Sequence, residues 1–159
     1  MFEHNRISKL LKINYPIFQG GMAWASTAKL ACSVSNAGGL GIIGCAGREA
    51  EWVLNEINYA KNNTSNHIGL NVALNDENAV KNIEIAVENN IKYFTMGGAN
   101  TYLKLISRFS DDVLIIPVVG STMEAKLAER AGAKLIICEG QESGGSIGRL
   151  SLFSLLPQV

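Results

Sequence analysis

Residues 16–47, PIFQGGMAWASTAKLACSVSNAGGLGIIGCAG, decide the fold. An apolar run over 15–18 stops at Gln19-Gly20-Gly21-Met22. A helical pattern then begins behind Ser26 or Thr27, and Ala37-Gly38-Gly39 closes it. A second apolar run over 40–43 follows at once and meets its own turn at Gly44-Cys45-Ala46-Gly47. Two strands joined through one helix within about thirty residues make a parallel βαβ unit. The glycines follow strand ends, where backbone without a Cβ can approach a ligand closely or take a positive φ.

Working outward, the same alternation repeats. Before the opening unit, residues 1–14 are a polar lead-in with Ile7, Leu10 and Leu11 at helical spacing, placed to cap the bottom of a barrel. After it, residues 48–61 place Val53, Leu54, Ile57 and Ala60 on one helical face. A polar loop over 62–66 leads to a strand at 67–72. Asp76 caps the next helix, whose inward residues are Ala79, Val80, Ile83, Ala86 and Val87. A strand over 91–96 is closed by Gly97-Gly98. A helix over 101–109 turns Leu103 and Ile106 inward, and 113–119 is apolar without a break, as a strand buried on both faces requires. Ser121 and Glu124 have capping-box spacing before a helix ending at Gly132, and 134–138 is a sixth strand. Strand starts near 16, 40, 67, 91, 113 and 134 give a period of 21 to 27 residues.

Six βα units in regular alternation fit an open doubly wound sheet or a (β/α)8 TIM barrel, and the glycine-rich turns at successive strand ends favour the barrel. A complete barrel needs about 250 residues. The 159 residues therefore read as one domain, the first three quarters of an incomplete barrel, with a sixth helix only begun at 150–156.

Composition narrows the partners. The chain is 47% hydrophobic and 18% charged, with fourteen basic residues against fourteen acidic ones, so no overall field draws in nucleic acid or an anionic membrane. No run approaches the about twenty apolar residues of a membrane span, and the charged N-terminus does not resemble a signal peptide, which points to the cytoplasm. Cys32, Cys45 and Cys138 lack paired spacing and read as buried thiols. His4 and His67 read as surface or capping residues and Trp52 as packing, whereas Trp24 has a claim to stack on a cofactor. Asp111, Asp112 and Glu142 read as turn or loop carboxylates.

With those residues in view, the chain resembles the superfamily of FMN-dependent enoyl-acyl-carrier-protein reductases and nitronate monooxygenases. The resemblance is carried in order by PIFQGGMAW, SNAGGLGIIG, GLN at 69–71, MGGAN at 96–100, IPVV at 116–119 and EGQESGG at 139–145. QGGMAW is nearer the enoyl reductases. The resemblance implies FMN across the C-terminal mouth of the barrel, with Gly21 and Met22 beside the isoalloxazine and Asn71 donating its amide to the ring's polar edge. Glu139 and Gly144 would line the ribityl and ring, with Gly97 and Gly145 in the same cofactor-binding set. It further implies NAD(P)H as co-substrate and an enoyl thioester on an acyl carrier as substrate, or a nitronate in the monooxygenases. Where the family pattern reads GGH, this chain has Gly144-Gly145-Ser146, which puts a hydroxyl at the catalytic position. The family's phosphate-binding turns follow strands seven and eight, which this sequence does not contain. A six-stranded piece has two open edges, to be covered by a homodimer partner or a complementary chain. The alternative to an enzyme is a non-catalytic product of a split or truncated gene. A nucleotide-processing barrel of the inosine monophosphate dehydrogenase type is a weaker reading, because Cys138 is not followed by a catalytic loop.

Overall fold

Alternate residues along the strands feed two separate cores, and that division sets the architecture. In the computed structural model, which describes residues 2, 5–97, 102–109, 113–145 and 148–159, five strands lie side by side. They are β1 (Gly41–Gly44), β2 (Ile68–Ala73), β3 (Tyr93–Gly97), β4 (Leu114–Val119) and β5 (Ile137–Cys138). All pair in parallel and in chain order, β1-β2-β3-β4-β5. Between them run α2 (Ala28–Asn36), α3 (Ala50–Asn63), α4 (Ala79–Glu88), α5 (Tyr102–Arg108) and α6 (Thr122–Arg130). α1 (Arg6–Leu11) precedes the sheet, and α7 (Leu152–Leu155) with a final 3-10 turn (Leu156–Gln158) follows it.

One core lies between the sheet and its helices. There Ile43, Leu70, Val72, Phe94, Met96, Ile115 and Val119 meet Ala31, Val53, Ile57, Ile83, Ala86 and Ala128. The other lies on the concave face, where Leu40, Ile42, Tyr93 and Ile116 close on Leu11 of α1. Strands buried on both faces with right-handed helical crossovers curl into a barrel wall. The five strands thus form the wall of an incomplete (β/α)8 TIM barrel, with α1 plugging its N-terminal end. Contact between wall and helix is closest at Gly41, where an added Cβ would fall 1.9 Å from the backbone oxygen of Ala31.

Several expectations change. The first expected strand, 15–18, contributes only an isolated parallel bridge between Phe18 and Leu40. Pro16 has no N–H to give a ladder, and the chain leaves the sheet at Gly20. In place of a strand, the Gln19 side-chain amide continues the pairing. Its Nε2 donates to Ile42 O at 3.1 Å and its Oε1 accepts from Ile42 N at 3.2 Å. The strand expected at 134–138 shortens to two residues. In α1, Leu11 is buried, Leu10 is exposed and Ser8 faces inward instead. In α4, Val80 is exposed, and the inward polar residue is Asn82, whose Nδ2 donates to Arg48 O at 3.0 Å. Asp76 lies two residues before the cap position of that helix. The N-cap is Asn78, and Asp76 Oδ1 accepts from its N–H at 3.0 Å in an Asx turn. In α5, Leu105 is the most deeply buried of the inward residues. At Ser121 the cap forms, its hydroxyl accepting from Glu124 N at 3.2 Å, while the Glu124 carboxylate accepts from Gly120 N at 2.7 Å instead of from the cap residue; Gly132 ends the following turn at φ +96°. His4, Gly98, Asp111, Asp112 and Ser146 lie outside the described residues.

Candidate active site

Parallel strands in register deliver their C-terminal ends to one rim, where barrels of this kind collect their functional groups. Across β1 to β4, Gly44, Asn71, Thr95 and Ile116 stand in one row on the concave face. One pleat nearer the rim come Ala73 and Gly97, paired with each other, with Val118 beside them. This upper layer is built of small side chains, which leaves the mouth open for a flat ligand above Asn71.

In the row beneath that layer Asn71 is held in place by its neighbours. Its Nδ2 donates to Thr95 Oγ1 at 3.0 Å and to Thr95 O at 3.4 Å. The amide nitrogen is thereby turned to Thr95, and Oδ1 lies on the Gly21 side. Gly21 rests directly on this side chain, for an added Cβ would lie 2.2 Å from Asn71 Cβ and 2.7 Å from Oδ1. The backbone of Asn71 is held as well, its O accepting from Cys45 N at 3.1 Å and from the Cys45 thiol at 2.8 Å. Burial above all, with Asp76 adding to it, pushes that thiol's pKa up to about 12, so it stays protonated.

The turn over 19–26 is tied down by Ser26, whose hydroxyl accepts from Met22 N at 2.7 Å and donates to Met22 O at 3.0 Å. Ser26 is buried and ties the turn rather than the helix; at α2 the Thr27 side chain makes no capping bond, and Ala28 N donates to Glu56 Oε2. Gly44 lies beneath the turn, where a Cβ would reach Ser26 Oγ at 2.6 Å. Met22 projects outward, half-exposed, and Trp24 follows at φ +68° with 68% of its surface exposed.

On the far side of the rim, Glu139 extends the β5 ladder by donating its N–H to Val119 O at 2.9 Å. Its side chain is half-buried, and burial raises the carboxyl pKa. Gly144 and Gly145 follow with open space where a Cβ would stand, Gly145 at φ +79°. Glu142 is a cap, both its oxygens accepting from Leu152 N at the start of α7. The rim thus gathers Gly21, Met22, Asn71 and Gly97 at β1 to β3, and Glu139, Gly144 and Gly145 past β5. Thr95, Gln19 and Ser26 were not anticipated. Thr95 alone left a trace, as a hydroxyl at a concave position in an otherwise apolar strand.

Among the described residues, no cluster of His, Cys, Asp or Glu could hold a metal ion, and no helix is long and apolar enough to cross a membrane. A cavity of about 260 Å³ between α6 and residues 133–136 lies at the N-terminal end of β5, opposite the mouth.

Known proteins match this arrangement. The sequence model of the nitronate monooxygenase family matches residues 4–111. A probable nitronate monooxygenase of Staphylococcus aureus strain JH9 is 31% identical over 207 residues, covering all of this chain and 58% of that protein. FabK from Thermotoga maritima superposes with a TM-score of 0.89 at 37% identity, over 97% of this chain and 51% of that one. A single-residue variant of the same enzyme reaches 0.92 at 39%, over 97% and 52%. Nitroalkane oxidase from Streptomyces ansochromogenes, at 21% identity and a TM-score of 0.83 over 96% of this chain and 56% of that one, shares the fold. The chain therefore spans about half the length of these relatives. Matched over about two thirds of its length, this chain belongs to the nitronate monooxygenase family.

Proposed function

We propose that this chain forms the ring-binding side of an FMN-dependent oxidoreductase of the enoyl-acyl-carrier-protein reductase type. The observation that carries the reading is the seat at the rim, where Gly21 lies against an Asn71 carbonyl oxygen below a layer of small residues. A planar apolar ring needs close backbone approach on one face and a few fixed polar groups at its edge. The residues present fit that part of the cofactor. Open space at Gly20, Gly144 and Gly145 leaves main chain bare to a ligand, and Asn71 Oδ1 suits an N–H at the ring edge.

In this reading Gly21, Met22 and Gly97 pack beside the ring, and Glu139, Gly144 and Gly145 line its other side. Held by these residues, FMN would supply hydride-transfer chemistry, from NAD(P)H to the β-carbon of an enoyl thioester, with the α-carbon taking its proton from water. Ser146, at the position of the family histidine, hydrogen-bonds the substrate; its hydroxyl does not exchange a proton near neutral pH as imidazole does. The phosphate falls to groups outside this chain's six units, so the affinity of this chain alone is weaker by the several kcal/mol, roughly, of a few charge-assisted hydrogen bonds. A second copy or a complementary chain covers the open edges, in the cytoplasm.

The likeness to FabK, 39% identical at its highest, favours enoyl reduction. The family match and the S. aureus relative favour the second reading, oxidation of a nitronate. The test is to purify the chain with FMN and record flavin absorption. NAD(P)H consumption with a short enoyl thioester is then compared with oxygen consumption on a nitronate. No flavin retained, with no turnover of either substrate, sinks both readings and leaves the non-catalytic one.

A further inference from the structure

The side chain that the cofactor seat does not use is Arg48, and its setting is unusual. Its guanidinium lies between two indoles, 3.9 Å from the centroid of Trp24 and 4.3 Å from that of Trp52. Two rings at cation–π distance restrain the guanidinium and leave its outer edge, where the terminal N–H donors point, as the part able to bind. Among the described residues, none of the guanidinium donors meets an acceptor, and no carboxylate pairs with the charge. One of them, Nε, is buried with no hydrogen-bond partner, whereas the terminal Nη groups lack a protein acceptor without being buried. The Nη edge of a held fork is therefore the part that an acceptor from outside can reach.

Trp24 adds the second half of the site. It is a bulky residue held at φ +68°, a conformation that costs about 1–3 kcal/mol and persists where surroundings impose it. Two backbone anchors impose it here, with Ala25 N and Ser26 N both donating to Met22 O, at 3.2 and 3.0 Å. The result is an indole with Arg48 under one face and 68% of its surface open to solvent. It stands two residues beyond Met22, on the rim of the mouth.

An oxyanion at the guanidinium edge and a flat ring on the open indole face are the two halves of a nucleotide. We propose that Trp24 and Arg48 form a binding site for the adenosine diphosphate portion of a dinucleotide, the adenine stacked on Trp24 and the diphosphate held by Arg48. The inference rests on the proposed flavin oxidoreductase for its reason to bind a dinucleotide, and it names where the reductant's non-reacting end is held. A phosphate-bearing acyl carrier arm shares the anion but has no flat ring, so the indole separates the two sources. Every base has a π-face that can stack on an aromatic side chain.

The experiment titrates ADP into the purified chain without FMN, reading tryptophan fluorescence and calorimetry, with inorganic phosphate and 4′-phosphopantetheine as comparison probes. ADP is expected to quench the fluorescence and to bind at least tenfold more tightly than either probe, with NADH or NADPH competing. Trp24→Ala, an exposed position that leaves the core untouched, is expected to weaken ADP at least fivefold while barely changing phosphate. Arg48→Gln is expected to weaken both at least tenfold, and Arg48→Lys, which keeps charge without the fork, to recover only part. Circular dichroism confirms that each variant folds. Absence of ADP binding at millimolar concentration, undiminished binding in Trp24→Ala, or phosphopantetheine binding as tightly as ADP would overturn the proposal. Because no flavin takes part, a chain that binds ADP but retains no FMN sinks the oxidoreductase reading and leaves this site standing.

Discussion

Gly21 and Gly144 belong to the same rim yet should respond oppositely to one added methyl group. At Gly21 the new atom would overlap the Asn71 side chain, so Gly21→Ala is expected to lower stability by about 1–3 kcal/mol. At Gly144 it meets open space, and Gly144→Ala is expected to stay within about 0.5 kcal/mol of the parent. Thermal or urea melts of the two variants check the contrast. Thr95→Val keeps the shape of the side chain but removes the hydroxyl that holds the Asn71 amide, a loss of about 1 kcal/mol on the scale of one hydrogen bond. Cys45 gives a chemical readout. With its thiol near 12, it should resist iodoacetamide at pH 8 in the native chain and react once the chain is unfolded, as peptide mass spectrometry would show. Gly21 and Asn71 were named from the family resemblance, through the motifs QGGMAW and GLN. Their contact was not legible, since it depends on how a turn after residue 18 folds across a strand fifty residues later. The same holds for Thr95, which reaches Asn71 only through the lateral register of β2 and β3.

Helices were the most readable elements and the first strand the least. The 3.6-residue rhythm found α3, α4 and α6, and the Ser121 cap formed as its spacing implied. Ser121→Ala is expected to cost about 1 kcal/mol, within the 0.5–2 range of lost caps, by denaturant melt. The stretch 15–18 has strand-like residues, yet Pro16 withholds a donor and the Gln19 side chain takes over the ladder, a substitution no periodicity reveals. At the N-terminal end of β2, His67 packs edge-on against Tyr93 with ring centroids 5.3 Å apart. Burial first, then Lys12 and Lys92, lower its pKa below 6.5. The unfolded chain therefore binds this proton more readily than the native one, and stability rises with pH through this window. The contribution is complete above pH 6.5 and is lost as pH falls through the native His67 pKa. Melts between pH 5 and 8 should show this slope in the parent and a flatter one in His67→Gln.

At the scale of the molecule, the barrel wall is open beyond β5, and large apolar side chains stand in solvent on that flank. Phe153 is 94% exposed and Met123 73%, with Leu156 close behind. Such a surface favours association, and an unpaired edge strand adds to it. Sedimentation velocity over a concentration series is expected to show the parent chain growing in mass, and the Met123→Ser, Phe153→Ser double variant doing so less. A parent that stays monomeric across the series would contradict this. The incomplete wall was legible from the repeat length, because each βα unit occupies a fixed span of sequence. Which side chains the opening leaves bare was not, since Phe153 and Leu155 look alike in sequence and only one of them is buried.

The order of the sheet has a bearing on how the protein comes into being. Each strand hydrogen-bonds to the strand made just before it, and α2, α3 and α4 pack on one another in the same succession. Within the sheet, each strand from β2 onward finds its earlier neighbour already made, although Leu11 of α1 waits for Tyr93 and Ile116. As the chain emerges from the ribosome, each unit can settle onto a finished neighbour, so the structure accumulates from its N-terminal end like courses of brick, always with one raw border awaiting the next.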